Sequence, residues 1–266
     1  MKVALNFADE NFSRIRRLNS KTAKWFGNFD KVFEFTPKDI DDEFFEANKS
    51  ILCQKRGGGY WLWKPYFINE TLKRQSYGDY IFYCDSGAFY INSIDHLIER
   101  LESSKQDIML FEAPLIEGQW TNEYLLNSLG FDNDAVKFSN QIIGGYILIK
   151  KTESSVSFIR DYLELCTNEN YLTDIKTKKN EMAFSHRHDQ SILSVLAKSK
   201  NIKPFKDPSD YGKFPFRYFS KDRLFRINTN TDEYPVIVLS NRKANPYIYA
   251  LKYYLRSLLK MIVVNK

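Results

Sequence analysis

The chain has 266 residues, the size of one large α/β domain or two small ones, and its hydrophobic (43%) and aromatic (16%) content can offset the entropy of ordering a core, which excludes a disordered chain. Gly (11) and Pro (8) follow no fixed period, which excludes collagen-like and low-complexity classes. The 39 Lys and Arg against 33 Asp and Glu leave a net charge of +6, which suits a polyanionic ligand, an anionic membrane or nucleic acid equally.

Cys53, Cys84 and Cys166 are too few and too widely spaced for a disulfide framework or a paired-cysteine zinc site, which fits a reducing compartment. The amino terminus turns polar at Asp9-Glu10, before the apolar run of a secretory signal can build, so the expected location is the cytoplasm.

In chain order, Lys2 to Ala8 predicts a short strand and Phe12 to Phe26 a basic amphipathic helix, with Phe12, Ile15, Leu18, Ala23 and Phe26 near helical spacing. Lys31 to Thr36 reads as a strand closed by Pro37, and Asp39 to Cys53 as a helix with acids in its first turns. Pro65 to Arg74 predicts another helix, its proline near the start where a missing N–H does no harm. Asp79 to Asp85 is almost wholly apolar and aromatic, as in a strand buried on both faces of a parallel sheet. There follow a helix from Ser93 to Ser103, a strand from Ile108 to Glu112, a polar helix after Thr121, a strand from Gln141 to Lys150 and a helix from Ser154 to Cys166. The lysine-rich stretch from Asp174 to Lys179 reads as a surface loop, and Asp189 to Lys200 as a helix. This alternation predicts an α/β fold with an open, mostly parallel sheet covered on both sides.

Ligands of such sheets gather beyond the carboxyl ends of the strands, where Asp85-Ser86-Gly87 stands. That carboxylate can hold a divalent cation or accept a sugar hydroxyl; it can equally cap a turn. Upstream, Arg56-Gly57-Gly58-Gly59-Tyr60-Trp61-Leu62-Trp63-Lys64-Pro65 is neither a P-loop nor a GxGxxG fingerprint. Its glycines permit unusual backbone, its rings offer stacking faces, and Arg56 and Lys64 can face phosphates; a tight turn pinned by two core tryptophans is the plainer reading. His186-Arg187-His188-Asp189-Gln190 opens an apolar-periodic helix, so Asp189 suits capping, while the cluster also suits a metal ligand or general base. His96, within an ordinary amphipathic helix, reads as a surface or capping residue. Gly144-Gly145 inside a strand pattern marks a bulge or the close approach of a substrate. Glu112, at a predicted strand end, with Glu117, Gln119 and Trp120, offers groups that bind sugar hydroxyls and faces, or plain surface decoration.

Together, Gly-Tyr-Trp-Leu-Trp-Lys-Pro (59–65), Tyr-Gly-Asp-Tyr-Ile-Phe-Tyr-Cys-Asp-Ser-Gly (77–87), the Gly-Gly strand and the His-Asp-Gln-Ser helix start resemble bacterial GT-A-type glycosyltransferases of capsule and O-antigen synthesis, over residues 1–245. The resemblance implies a Rossmann-like domain, a nucleoside diphosphate sugar donor, with uridine diphosphate hexoses including the galactofuranose form as expected donors, and a lipid-linked oligosaccharide acceptor. It implies donor contacts from Phe7, Arg56, Tyr60, Trp61, Lys64, Asp85, Ser86, Gly87, Arg242 and Lys243, and acceptor contacts from Glu112, Trp120, Gly144 and Gly145. It places Asp189 as the base that deprotonates the attacking hydroxyl in an inverting displacement, while no residue fixes which face of the sugar is attacked, so a retaining displacement stays open. The family's Asp-x-Asp is here Asp85-Ser86-Gly87, with a single carboxylate. Mn²⁺ or Mg²⁺ would therefore rest on Asp85 with His186 or His188, and a metal-free reaction on Lys64, Arg56, Arg242 and Lys243.

Residues 246–266 form a separate basic amphipathic segment. From Tyr247 to Val264 the charged residues are Lys252, Arg256 and Lys260, at i, i+4 and i+8, along one face of a helix otherwise apolar and aromatic. Such a helix lies in a headgroup region or covers the domain's own core, and its charges argue against a bilayer span. The expectation is a peripheral protein at the inner face of the cytoplasmic membrane. Rival readings are a non-catalytic sugar-binding protein on the same fold and a single-stranded nucleic-acid-binding module, the latter weakened by scattered charges and missing fold signatures.

Overall fold

The computed structural model describes residues 1–174, 184–227, 232–241 and 244–264. Its central sheet joins β1 (Lys2–Phe7), β2 (Lys31–Phe35), β3 (Tyr80–Cys84), β5 (Ile108–Ile116), β6 (Asn140–Lys150) and β7 (Phe205–Lys206) in the order β2-β1-β3-β6-β5-β7. Five of these strands run one way and β6 runs against them, since β6 pairs antiparallel with both β3 and β5. The mostly parallel sheet is as expected. The reversal of β6 is an addition, because an apolar run such as 141–150 carries the same pattern in either direction. Beside it, β4 (Ala88–Tyr90) and β8 (Val238–Ser240) form a small antiparallel pair.

Strand alternation sorts the core onto two faces. Leu5, Ile81, Tyr83, Leu110, Ile147 and Ile149 pack against residues of α2 (Trp63–Lys73), α4 (Glu153–Thr167) and α5 (Asp189–Ser199). Ala4, Phe82, Cys84, Met109, Phe111 and Leu148 point the other way, towards α1 (Ser13–Trp25) and α3 (Asp95–Ser104). Burial on both faces explains why these strands lack a polar side.

Two predicted elements differ. The stretch from Asp39 to Cys53 is not one helix: Asp41 caps a new turn by accepting from the Glu43 and Phe44 N–H groups, and Asn48 ends it before Lys49–Leu52. Strand β5 runs past Glu112 to Ile116 with irregular pairing, so Glu112 lies within a strand rather than at its end.

Helix α6 (Pro246–Val264) docks by one face, placing Tyr249, Ala250 and Tyr253 against Phe89, Phe214 and Leu239. Tyr249 accepts from Arg217 and donates to Asp210, and Lys213 donates to Ser257 at 2.9 Å. Among the described residues no helix is long and apolar enough to cross a membrane.

Candidate active site

The site forms where β1 and β3 end on the same edge of the sheet. Because β6 is antiparallel, its early residues Gly144 and Gly145 come to this edge, and the Asp85 N–H donates to the Gly145 carbonyl at 2.9 Å. A Cβ on Gly145 would lie 3.3 Å from Asp85 Oδ2, and one on Gly144 would lie 3.0 Å from Gln190 Cβ and 3.3 Å from Lys64 Nζ. The double glycine thus marks a close approach of protein groups.

Residues 57–61 shape the upper wall. All five have positive φ, from 51° at Tyr60 to 94° at Gly59, and a Cβ on Gly59 would stand 2.8 Å from Leu52 Cα. This left-handed path leaves Trp61 half-buried beside the opening, while Trp63 stacks on Phe7 at 3.8 Å and donates to the Gly57 carbonyl at 3.0 Å. The first turn of α2 then carries Lys64 into the interior.

Lys64 is 3% exposed. Its ammonium donates to Asp189 Oδ2 at 2.5 Å and to the Gly144 carbonyl at 2.8 Å, and lies 4.0 Å from Asp85 Oδ1. The Tyr83 hydroxyl donates to Asp85 Oδ1 at 2.5 Å, and the Tyr162 hydroxyl to Asp189 Oδ2 at 3.2 Å. Burial opposes the Lys64 charge, but the Asp189 and Asp85 carboxylates outweigh it and hold the lysine pKa above its ordinary value. Burial lifts the Asp189 carboxyl above the ordinary range, against the pull of the Lys64 ammonium.

Two histidines sit behind this pair. His186 Nδ1 accepts from the Asn122 N–H and Nε2 donates to the Tyr171 carbonyl, an arrangement that suits the neutral ring. Burial, with His188 nearby, pushes the His186 pKa down to about 3. His188 donates from Nδ1 to the Leu172 carbonyl and stacks beside Trp61, and its buried Nε2 has no partner among the described residues. Its backbone, at φ 54° and ψ −121°, is strained for a residue with a side chain.

Two cavities meet at Trp61 and Asp85. The larger, about 370 Å³, is lined by Phe7, Asp9, Phe12, Lys55, Gly57, Gly58, Trp63, Tyr83, Ser86 and Gly87 as well. The smaller, about 290 Å³, adds Arg56, Lys64, Trp120, Gly144, Gly145, Ser185, His186, Arg187, His188, Asp189 and Gln190.

Comparison with known proteins reaches this chain through structure alone: no family model matches it, and no curated protein matches it. Mouse xyloside xylosyltransferase 1, in its apo form, superimposes with a TM-score of 0.52 at 10% identity, covering 92% of this chain and 100% of that one. An active-site mutant of LgtC gives 0.50 at 16% identity, covering 92% and 88%. The galactosyltransferase LgtC with donor and acceptor sugar analogues gives 0.49 at 15% identity over the same shares. The chain has the GT-A glycosyltransferase fold.

Within this GT-A fold, Phe7, Trp61, Asp85, Ser86 and Gly87 come together in the larger cavity, and Arg56, Lys64, Trp120, Gly144, Gly145, His188 and Asp189 in the smaller. Tyr60 lies at their margin: its hydroxyl donates to Asp174 at 3.3 Å, and Arg56 pairs with the same carboxylate at 3.0 Å. Glu112 is elsewhere, lining a separate cavity of about 70 Å³ with Asn140, Lys206, Asp207 and Tyr218. Glu117 is fully buried among Thr121, Gln141, Ser194 and Lys198, a packing role. Arg242 and Lys243 lie outside the described residues.

Sequence reading missed Tyr83 and Tyr162, which orient the two carboxylates, because aromatics within apolar runs look like core. It also passed over Lys55, Phe12 and Asp9, single residues whose convergence is tertiary. For a Mg²⁺ or Mn²⁺ ion, Asp85 and His188 line the same cavity, yet the described residues contain no group of three His, Cys, Asp or Glu that could hold a metal. Asp85 Oδ1 is already engaged by Tyr83 and faces the Lys64 ammonium, whose charge would repel a cation bound there. These described residues do not compose a metal centre.

Proposed function

We propose that this chain is a glycosyltransferase that moves a hexose from a uridine diphosphate donor, with the galactofuranose form among those expected, to a lipid-linked acceptor of capsule or O-antigen synthesis. The observation that carries this reading is the meeting of the two cavities at Trp61 and Asp85, with the buried Lys64–Asp189 pair facing the smaller one. The larger cavity takes the nucleoside diphosphate: Phe12, Trp61 and the Phe7–Trp63 stack offer aromatic surface to a base, and Lys55 meets the phosphates. The smaller takes the acceptor. The GT-A neighbours with TM-scores of 0.52 and 0.50 support the reading at the level of fold.

In the proposed reaction the acceptor hydroxyl oxygen bonds to the anomeric carbon as the bond from that carbon to the β-phosphate oxygen breaks, its electron pair leaving with the nucleoside diphosphate. The hydroxyl proton passes to Asp189. Oδ2 of Asp189 is held by Lys64 and Tyr162, while Oδ1 has no partner among the described residues and belongs to a side chain that lines the cavity. The Lys64 ammonium favours the ionised carboxylate against the opposing effect of burial, and it supplies positive charge beside Asp85, where the two cavities meet.

The exposed face of α6 supports peripheral membrane association. Tyr247, Leu251, Tyr254, Leu255, Leu258 and Leu259 are all at least half exposed, opposite the docked Tyr249 and Tyr253, and Lys252 and Arg256 flank them. That geometry would hold the cleft near a lipid-linked acceptor.

The test is turnover in Asp189→Asn, with nucleoside diphosphate release measured across a panel of donors. Turnover should fall at least a hundredfold while donor-induced thermal shift is retained. Unchanged turnover would remove Asp189 from the mechanism.

A further inference from the structure

Helix α1 turns a cationic face to solvent that neither the core nor the cleft uses. Arg14, Arg17, Lys21 and Lys24 stand at i, i+3, i+7 and i+10, so they line one side of the helix. Trp25, four residues after Lys21, lies on the same side at 68% exposure, and Phe26 beyond it is also exposed. All four cations are exposed, while Asn19, Ser20, Thr22 and Ala23 bury the opposite side. No Asp or Glu occurs between Ser13 and Phe29, and among the described residues none of the four cations forms an ion pair. Arg16, on the inner side, is employed differently: it donates to the Phe35 carbonyl at 2.9 Å.

This face adjoins the exposed side of α6. Leu18 packs against the cluster of Phe89, Leu239 and Tyr253 where α6 docks, and Arg14, Ile15 and Leu18 line a groove of about 470 Å³ together with Asn245, Pro246 and Tyr247. Tyr247, 81% exposed, also opens the leucine face of α6, so the groove joins the two surfaces. Cations beside indole and leucine match the layers of an anionic bilayer: ammonium and guanidinium groups meet lipid phosphates, the indole settles at headgroup level, and leucines enter the acyl boundary. Nucleic acid attracts the same charges, but strand binding uses a groove that tracks the backbone and rings that stack the bases. Here the cations stand on a convex helix surface whose neighbour is chiefly leucine.

We propose that the face of α1 formed by Arg14, Arg17, Lys21, Lys24 and Trp25 is a second membrane contact, which binds the phosphate headgroups of anionic lipid and acts together with α6. The proposal deepens the reading of α6 as a membrane-facing helix, and the choice of lipid over nucleic acid rests on that reading. A single helix leaves the protein free to roll about the helix axis; two contacts fix which side of the molecule faces the lipid. Phe12, in the turn that leads into α1, lines the larger cavity, so the second contact holds that cavity close to the lipid surface.

Flotation of the full chain with vesicles of phosphatidylcholine alone, and of equal parts phosphatidylcholine and phosphatidylglycerol, tests it. A cation near an anionic surface contributes about a fivefold gain in partition, so Arg14→Gln, Arg17→Gln, Lys21→Gln and Lys24→Gln combined should weaken binding to the anionic vesicles about fiftyfold or more. The thermal midpoint of that variant should stay within about 2 °C, since each position is exposed. Brominated lipid should quench tryptophan fluorescence in the unaltered chain and lose most of that effect in Trp25→Phe. Anionic binding that survives the fourfold variant, or quenching indifferent to Trp25→Phe, would overturn the contact. Failure to bind anionic vesicles, with a single-stranded oligonucleotide bound by the unaltered chain and lost in the fourfold variant, would assign the face to nucleic acid instead. If Leu251→Gln, Leu255→Gln and Leu258→Gln combined leave flotation intact while the fourfold variant does not, the reading of α6 falls and the α1 contact stands; the reverse pattern overturns the α1 contact alone.

Discussion

Lys64 donates to Asp189 at 2.5 Å from a position with 3% exposure, so removing its ammonium strands a carboxylate in the interior. Loss of one partner from a buried ion pair costs about 3–5 kcal/mol, so Lys64→Met should lower unfolding stability by about that much in chemical denaturation. Adding Asp189→Asn to the same chain should recover part of the loss, and strictly additive losses would contradict the pairing. His186 gives a second residue-scale expectation. Its pKa is about 3 in the folded chain against 6.5 for the free side chain, so the unfolded state binds the extra proton between those values. The stability it contributes is complete above about pH 6.5 and declines as the pH falls towards about 3, by at most roughly 1.4 kcal/mol per pH unit. Denaturation midpoints across that range should flatten in His186→Gln; an equally steep acid loss in the variant would assign the effect to other groups.

Among the elements, α6 divides its surface most sharply. Docking uses Tyr249, Tyr253 and Ser257, at i, i+4 and i+8, while the leucines lie on the opposite side. Replacing Leu251, Leu255 and Leu258 by Gln should therefore abolish flotation with vesicles containing anionic lipid and leave the thermal midpoint within about 2 °C, since no docked residue is touched. Retained flotation would make the exposed face incidental. The sequence had disclosed this helix and its basic stripe, because a period of four residues is explicit in the chain. It also disclosed β3 and Asp85, since a strand buried on both faces leaves an unbroken apolar run. The direction of β6 was hidden, because direction is decided by which neighbours a strand finds. Glu112 was misplaced for a related reason: β5 continues to Ile116, and the end from which a ligand contact was inferred is not there.

At the scale of the whole molecule, function depends on a junction that no segment holds alone. Asp85 comes from the end of β3, Trp61 from the left-handed turn, Gly144 and Gly145 from the reversed strand, Lys64 from α2 and Asp189 from α5. The sequence marked each of these, since Gly-Gly in a strand and three glycines before two tryptophans are costly unless a close approach needs them. It did not show Tyr83 and Tyr162 converging on the two carboxylates, because separations along the chain say nothing of distances across a sheet edge. The central claim is that the larger cavity receives a nucleoside diphosphate against Trp61 and Asp85. Calorimetric titration with uridine diphosphate tests it most directly: binding should saturate at about one equivalent, weaken at least tenfold in Trp61→Ala and remain unchanged in Glu112→Gln, which lines a different cavity. No heat with any nucleoside diphosphate, or an affinity indifferent to Trp61, would contradict the account.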